Sequence, residues 1–439
     1  MSPTQQAIVV TGASGYIGSY ITYQLLEDGY KVKGVARGEK VSFLQNAFAR
    51  YPAFEAVEIT DIASGDFSFM KGMDAVIHCA APMISDKVDH ETALKGAIGG
   101  SLHVLEQAKD AGIQKVVVTG SLASFPRFGP YGPNDYFAVT IEEAKSSGNP
   151  GVIYSAEKKF AEIAVLEFAD KHPEMDVTII CPTFVVGPVA PGFEHLVPTV
   201  NFRAFSSTFY LYSLLNGPNP RFPMADSFID VRDVARAHIL ALNSQPSSVV
   251  GRKRFALKNP DQSNFRQAIE LIAAERPHLK DRLSPLLSAP KWPESKAEPI
   301  DYARMESDLG LKRESLTSWT DTVLDGIDSF MVVENSWKAK GLKSTVRVIH
   351  NDQAGNSSIW GSHCDPGRAD RTGSQELIGH SGTPHTQHRD IHQILKPCTL
   401  PKPLLLSTVL VAQKAAAAPP LVDASLTHAT ARTEAQRWH

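Results

Sequence analysis

A chain of 439 residues is long enough for two or three domains at about 150 residues each. Its 44 Lys+Arg and 47 Asp+Glu leave a net charge of −3 with no basic block, which argues against partners recognised through a phosphate backbone or an anionic lipid surface. Cys79, Cys181, Cys364 and Cys398 form neither a CxxC pair nor a disulfide framework, and the N-terminal MSPTQQAIVVTG has no basic and apolar leader, so a reducing, cytoplasmic setting is expected.

The run AIVVT at 7–11 is continuously apolar and ends in a glycine cluster, which predicts a strand buried on both faces of a parallel sheet. Ile17, Ile21 and Leu25 then recur at helical spacing, with Gly29 as a left-handed stop before a second strand at 31–36. Further strand-like runs lie at 54–59, 75–80, 115–121 and 177–182. Between the last three lie helical patterns at 91–111, stopped by Gly112, and 153–172, stopped by Pro173. Alternating strand and helix imply right-handed crossovers, so the predicted fold class is α/β, a Rossmann-type doubly wound parallel sheet. Residues 1–183 read as a dinucleotide-binding domain. Residues 184–340, where Pro, Phe and Gly break the rhythm, read as a smaller irregular substrate lobe. Within it, 228–242 is expected to be one helix returning to the main core, with Asp230 as its N-cap and a structural role for Asp233. Beyond position 340 the only aromatic residues are Trp360 and Trp438, no Met occurs, and eight of the fifteen His are found. Residues 341–439 are therefore expected to be a disordered tail without a core. Its apolar stretch at 404–411 is far short of the ~20 residues of a membrane span. Its His380, His385, His388 and His392 have no carboxylate or thiolate pattern to complete a metal site, and no metal is expected.

The first strand-to-helix junction, TGASGYIG, contains Gly12, Gly15 and Gly18 with Tyr16 and Ile17 between them. A tight turn, a close backbone approach to a pyrophosphate and a helix packed near its strand each call for a residue without Cβ, and the helix N-terminus offers free N–H groups to phosphates. At the end of the second strand, where a carboxylate would accept from a ribose 2′-OH, the chain has Arg37, with Lys40 nearby. A planar guanidinium suits a 2′-phosphate, so NADPH is expected over NADH; the alternative is a solvated strand-end arginine. Asp61 and Ile62 are candidates for the adenine, although a plain turn aspartate fits nearly as well. Tyr154 and Lys158, spaced i, i+4, project from one face of the 153–172 helix. A phenol titrates near 10, and an adjacent ammonium favours its ionised form and can also hold a nicotinamide ribose, which makes the pair a usable proton donor. Ser121, ending the fifth strand, is the candidate donor to a substrate carbonyl oxygen, with Ser124 as competitor. Met83, Phe125 and Phe184 are candidates for an apolar substrate pocket beside Ser121, as are Phe205 and Phe209, and all are equally what a core contains. His78 and His195 read as packing or surface residues.

TGASGYIG, HCAAP at 78–82, VVVTGS, YSAEK and CPTFVVGP at 181–188 together resemble the extended short-chain dehydrogenase/reductases, the NAD(P)-dependent epimerase/dehydratase family, over roughly residues 7–335. The likeness is to the dihydroflavonol reductase-like branch, which includes many fungal and plant ketone and aldehyde reductases. The resemblance implies a catalytic triad of Ser121, Tyr154 and Lys158, with Arg37 on the NADP 2′-phosphate. It also implies the backbone of Ala80 and Ala81 along the cofactor, and Pro182 to Val185 beside the nicotinamide. Two positions depart from the pattern: Ala97 fills the slot where many relatives carry an Asn that anchors a relay water, and Gly120 stands where many have a second serine. The implied activity is NADPH-dependent reduction of a small ketone or aldehyde, reversible as alcohol oxidation, with secondary metabolism as the branch's setting. A nucleotide-sugar epimerase or dehydratase and a 3β-hydroxysteroid dehydrogenase-like enzyme share the scaffold. Arg37 and the scarcity of cations between 182 and 226, Arg203 and Arg221 alone, count against the sugar-nucleotide reading. A non-catalytic dinucleotide sensor would not need the Tyr154/Lys158 pair.

Overall fold

Seven strands form one wholly parallel sheet in the order β3-β2-β1-β4-β5-β6-β9. They are β1 (Ala7–Thr11), β2 (Lys31–Ala36), β3 (Phe54–Glu58), β4 (Ala75–His78), β5 (Lys115–Thr119), β6 (Asp176–Pro182) and β9 (Lys253–Leu257); a short parallel pair, β7 (Val185–Val186) and β8 (Ile229–Asp230), precedes the last. The computed structural model describes residues 6–80, 90–215, 220, 222–223, 227–291 and 300–343. The α-helices between residues 1 and 183 are α1 (Tyr16–Glu27), α2 (Lys40–Ala47), α3 (His90–Asp110), α4 (Ile141–Ser146) and α5 (Pro150–Lys171). The apolar runs of β1, β4, β5 and β6 are buried along nearly their whole length, as strands covered by helices on both faces must be. Gly29 and Gly112, both at positive φ, follow α1 and α3 as the sequence predicts.

Two elements differ from the sequence reading. Residues 253–257 (KRFAL), left within the irregular lobe, are the seventh strand of the main sheet. Their two charges disguise a buried strand because each is neutralised locally: Lys253 pairs with Asp176 at 2.9 Å and Arg254 with Glu162 at 2.8 Å. The expected 228–242 helix starts at Val231, since Ile229 and Asp230 are taken up by the ladder with β7. Asp230 still caps it, accepting the Arg232 N–H at 2.8 Å, and Asp233 accepts the Thr317 N–H at 2.8 Å. This helix packs against α1, β5 and β6 as expected. A longer helix of the lobe, Trp319–Ala339, anchors an aromatic cluster that includes Phe205, Tyr212 and Phe330, and Trp337 Nε1 donates to the Val197 carbonyl at 2.7 Å. Phe205 thus belongs to that core rather than to a pocket.

Two buried histidines tie the strand ends together, and their tautomers follow from their neighbours. His238 Nδ1 lies 2.7 Å from the Val234 carbonyl and so carries the proton, which leaves Nε2 to accept from Thr119 Oγ1 on β5 at 2.8 Å. Ser101 donates to the Ala97 carbonyl at 2.9 Å; His78 Nε2 therefore donates to Ser101 Oγ at 3.3 Å, and His78 Nδ1 accepts from Thr11 Oγ1 on β1 at 2.7 Å. Burial pushes both imidazoles down to about 4. His78 is a packing residue, as read; His195 is a surface one, beside Glu194. Among the described residues no helix is long and apolar enough to cross a membrane, and no group of His, Cys, Asp or Glu could hold a metal ion. The tail histidines lie outside the described residues.

A histidine whose folded pKa is depressed takes up its proton in the unfolded chain first, so it withdraws stability as pH falls from about 6.5 to about 4. Burial pushes Asp233 up to about 6 and Glu157 up to about 7, and these carboxyls act with the opposite sign over the same interval. The histidine contribution is therefore read as a difference. His238→Gln should be less stable than the parent at pH 7.5, and its deficit should shrink by about 2 kcal/mol at pH 4.5, at roughly 1.4 kcal/mol per pH unit. Urea unfolding at the two pH values checks this; an unchanged deficit would mean that His238 is protonated in the fold.

Candidate active site

β1 is paired with β2 on one side and β4 on the other, and the crevice of such a sheet opens beyond the strand C-termini at this reversal of order. The TGASGYIG turn lies there. Gly12 has φ +71°, and a Cβ on it would be 2.8 Å from the Ala80 nitrogen past the end of β4. A Cβ on Gly18 would be 2.2 Å from the Gly12 carbonyl oxygen, so both positions exclude every side chain. Gly15 donates its N–H to Gly12 O at 2.9 Å and begins α1 with no side-chain cap. A helix start uncapped by the protein keeps its first-turn N–H groups for a ligand, which fits a pyrophosphate. The Tyr16 side chain is not part of that cradle: it is buried and donates to the Gly187 carbonyl at 3.1 Å. Ile17 packs against the core, so both residues offer only backbone to the turn.

Arg37 follows β2 and is exposed, as is Lys40, the first residue of α2. Asp61 is a turn residue: it accepts the Ala63 N–H at 3.0 Å and the Ser64 hydroxyl at 2.9 Å. These bonds, with the Arg37 charge nearby, hold its carboxyl below the usual range. Ile62 is half-buried against the core. Ala81 and Met83 lie outside the described residues.

α5 starts sharply because Asn149 accepts the Gly151 N–H at 2.9 Å and Pro150 occupies the first turn. One turn in, Tyr154 and Lys158 are half-buried, with Lys158 Nζ 6.0 Å from the Tyr154 ring centroid. α5 packs on α3 and on the 122–124 turn that follows β5, and the Lys158 charge acts, after burial, on His78 and Cys79 at the end of β4. Burial pushes the Cys79 thiol up to about 12, so it is no nucleophile.

The two candidate serines sit in different surroundings. Ser124 is 0% exposed, accepts from Arg254 Nη2 at 2.8 Å, and has Glu162 Oε2 and the Ser121 carbonyl each 2.7 Å away for its single proton. Nothing is left for a substrate. Ser121 is 9% exposed, and among the described residues its Oγ accepts only the Ala123 N–H at 3.2 Å, which leaves its own proton uncommitted to any of them. Phe125, read as a pocket residue, is buried with its ring face covered by the Arg254 guanidinium 3.5 Å from its centroid. Phe184 is half-buried and meets Tyr210 edge-on at 5.3 Å. Phe209 packs on Phe202 and Tyr212. Pro182 ends β6, and Val185 is buried in β7. Sequence reading passed over Glu162 and Arg254, which hold the serine turn. The available signal was Glu162 at eight residues, two four-residue steps, from Tyr154.

The chain is similar in sequence and in fold to known reductases. The NADPH-dependent methylglyoxal reductase GRE2 of Saccharomyces cerevisiae is 30% identical over 280 residues, covering 58% of this chain and 80% of the relative. Cinnamoyl-CoA reductase 1 of Arabidopsis thaliana is 27% identical over 342 residues, covering 75% and 90%. The crystal structure of the yeast methylglyoxal/isovaleraldehyde reductase Gre2 complexed with NADPH superposes with a TM-score of 0.64 at 26% identity, over 75% of this chain and all of that one. Residues 8–253, from the start of β1 to the start of β9, match the NAD dependent epimerase/dehydratase family. With its glycine cradle at the switch point and the tyrosine and lysine of α5 over the same crevice, the chain belongs to that family.

Proposed function

We propose that the protein is an NADPH-dependent reductase of small aldehydes and ketones. The observation that carries this reading is the convergence of three pieces on one crevice: the uncapped glycine turn after β1, the exposed Arg37 after β2, and Tyr154 with Lys158 on α5 opposite the end of β4. The named reductases among its relatives support it.

The dinucleotide, when bound, supplies the hydride. The N–H groups at the start of α1 hold its pyrophosphate, and Arg37 with Lys40 pairs with the 2′-phosphate, where their exposure allows a dianion to enter without desolvating a buried cation. Ser121 donates its free hydroxyl proton to the substrate oxygen and polarises the carbonyl. Tyr154 delivers the proton that the oxygen needs as it becomes an alcohol. Lys158 steadies the negative charge left on the phenol oxygen and hydrogen-bonds the ribose, so that donor and cofactor share one frame. Ala97 removes the side-chain anchor for a relay water, so reprotonation of Tyr154 passes by another route. Phe184 and Tyr210 form an aromatic wall at the substrate end, suited to apolar groups on the carbonyl. Residues 1–183 act as the cofactor domain and 184–340 as the substrate lobe, with β9 returned to the sheet.

Consumption of NADPH with a panel of aldehydes and ketones, methylglyoxal included, tests the proposal. Tyr154→Phe should lower kcat by about 10²–10⁴-fold with NADPH affinity kept, the range for loss of a positioned proton donor; near-parental turnover would overturn the mechanism. Arg37→Ala should raise KM for NADPH by roughly 10–100-fold, as expected for a lost charge-assisted contact, and leave KM for NADH within about twofold. An equal effect on both cofactors would remove Arg37 from the 2′-phosphate site.

A further inference from the structure

Glu162 and Arg254 form a buried ion pair beside the candidate serine turn, and their bonding goes well beyond mutual neutralisation. Glu162 Oε1 accepts the Ser121 N–H at 3.0 Å, and Oε2 takes Arg254 Nε at 2.8 Å and lies 2.7 Å from Ser124 Oγ. Both carboxylate oxygens are thus committed to the two ends of the Ser121–Ser124 turn. Arg254, 0% exposed, donates Nη2 to Ser124 Oγ at 2.8 Å and Nη1 to the Asp135 carbonyl at 2.8 Å. Its guanidinium lies between the Phe125 and Tyr136 rings, 3.5 and 4.1 Å from their centroids. A planar fork with this many fixed acceptors and two aromatic faces admits only one orientation. Gly120 completes the fit: a Cβ there would be 2.6 Å from Glu162 Oε1 and 2.7 Å from Cys181 Sγ, which explains why the second serine of many relatives has no room in this chain.

Apolar residues of the same volume would fill this space at least as stably, since a buried ion pair is a poor source of stability. They could not hold a backbone N–H and a hydroxyl in a set direction. Glu162 also stands four residues after Lys158 and eight after Tyr154 on α5, so one rigid helix carries the proton donor, its ammonium and the carboxylate gripping Ser121. We propose that Glu162, oriented by Arg254, is a positioning residue that fixes the Ser121 hydroxyl relative to the Tyr154 oxygen. The inference rests on Ser121 as the carbonyl-oxygen donor. Errors of about 1 Å in such a pair cost on the order of 10²-fold in rate, which is the precision a flexible strand-end turn lacks by itself.

A double-mutant cycle on the full-length protein separates positioning from packing: Ser121→Ala, Glu162→Gln and the double variant, each measured for kcat, both KM values and thermal midpoint. Glu162→Gln should lower kcat by about 10–30-fold with KM for NADPH within about twofold, and should cost less than about threefold more once Ser121 is Ala, because residues acting as a unit are not additive. The same kcat loss in both backgrounds would make Glu162 a packing residue and overturn the proposal. So would an unchanged kcat in Glu162→Gln. Should Glu162→Gln not fold, Arg254→Lys keeps the charge opposite Glu162 but loses the fork, and the same non-additivity is expected of it. Near-parental kcat in Ser121→Ala alone would instead overturn the role of Ser121, and this inference with it.

Discussion

The backbone contact at the sheet's switch point is the constraint on which the rest of this structure depends. The turn after β1 presses against the chain leaving β4, and α1 closes on the carbonyl of the residue that begins the turn. With Ala80 at 2.8 Å from a notional Cβ on Gly12, and the Gly12 carbonyl at 2.2 Å from one on Gly18, the contact exists only because both positions lack side chains. It brings a helix N-terminus up to the crevice, and it sets how far β4 stands from β1. The ends of β2 and β5 then take their places on either side through the parallel register of the sheet.

Around that contact, polar groups at the strand ends are neutral or paired, each for a physical reason. The histidines near β4 and β5 are buried too deeply to be charged, and each has a fixed hydrogen-bond direction. The buried Arg254 guanidinium on β9 is matched by a carboxylate and by aromatic faces. In a region of low effective dielectric an unmatched group would be costly, so these networks hold a single arrangement. Under the proposed function, the groups left with chemical capacity among the described residues are the Ser121 hydroxyl, the Tyr154/Lys158 face, the start of α1 and the exposed Arg37. The lobe is built differently, from an aromatic cluster around Trp337.

The fold alone does not choose among the family's reactions. A UDP-glucuronic acid 4-epimerase from Bacillus cereus in complex with NAD shares the architecture, with a TM-score of 0.56 at 16% identity. The proposed reading rests instead on a local feature, a cation rather than an acid after β2.

How much could be read from the chain alone follows from the range of the interactions involved. Apolar runs for β1, β4, β5 and β6, the stops at Gly29 and Gly112, the glycine turn and the i, i+4 spacing of Tyr154 and Lys158 are local signals, carried by backbone sterics and helical or strand period. They were legible, and with them the doubly wound sheet. Three matters were not, because each depends on contacts between residues far apart in sequence. Residues 253–257 became a strand only when Asp176 and Glu162 were present to neutralise Lys253 and Arg254. Phe125 was drawn from the expected pocket into a stack on Arg254. The sequence favours Ser121 but leaves Ser124, three residues on, as a competitor. Their different surroundings arise from a carboxylate 38 residues from one of them and an arginine 130 residues from it, because burial and hydrogen-bond saturation exist only in the folded chain.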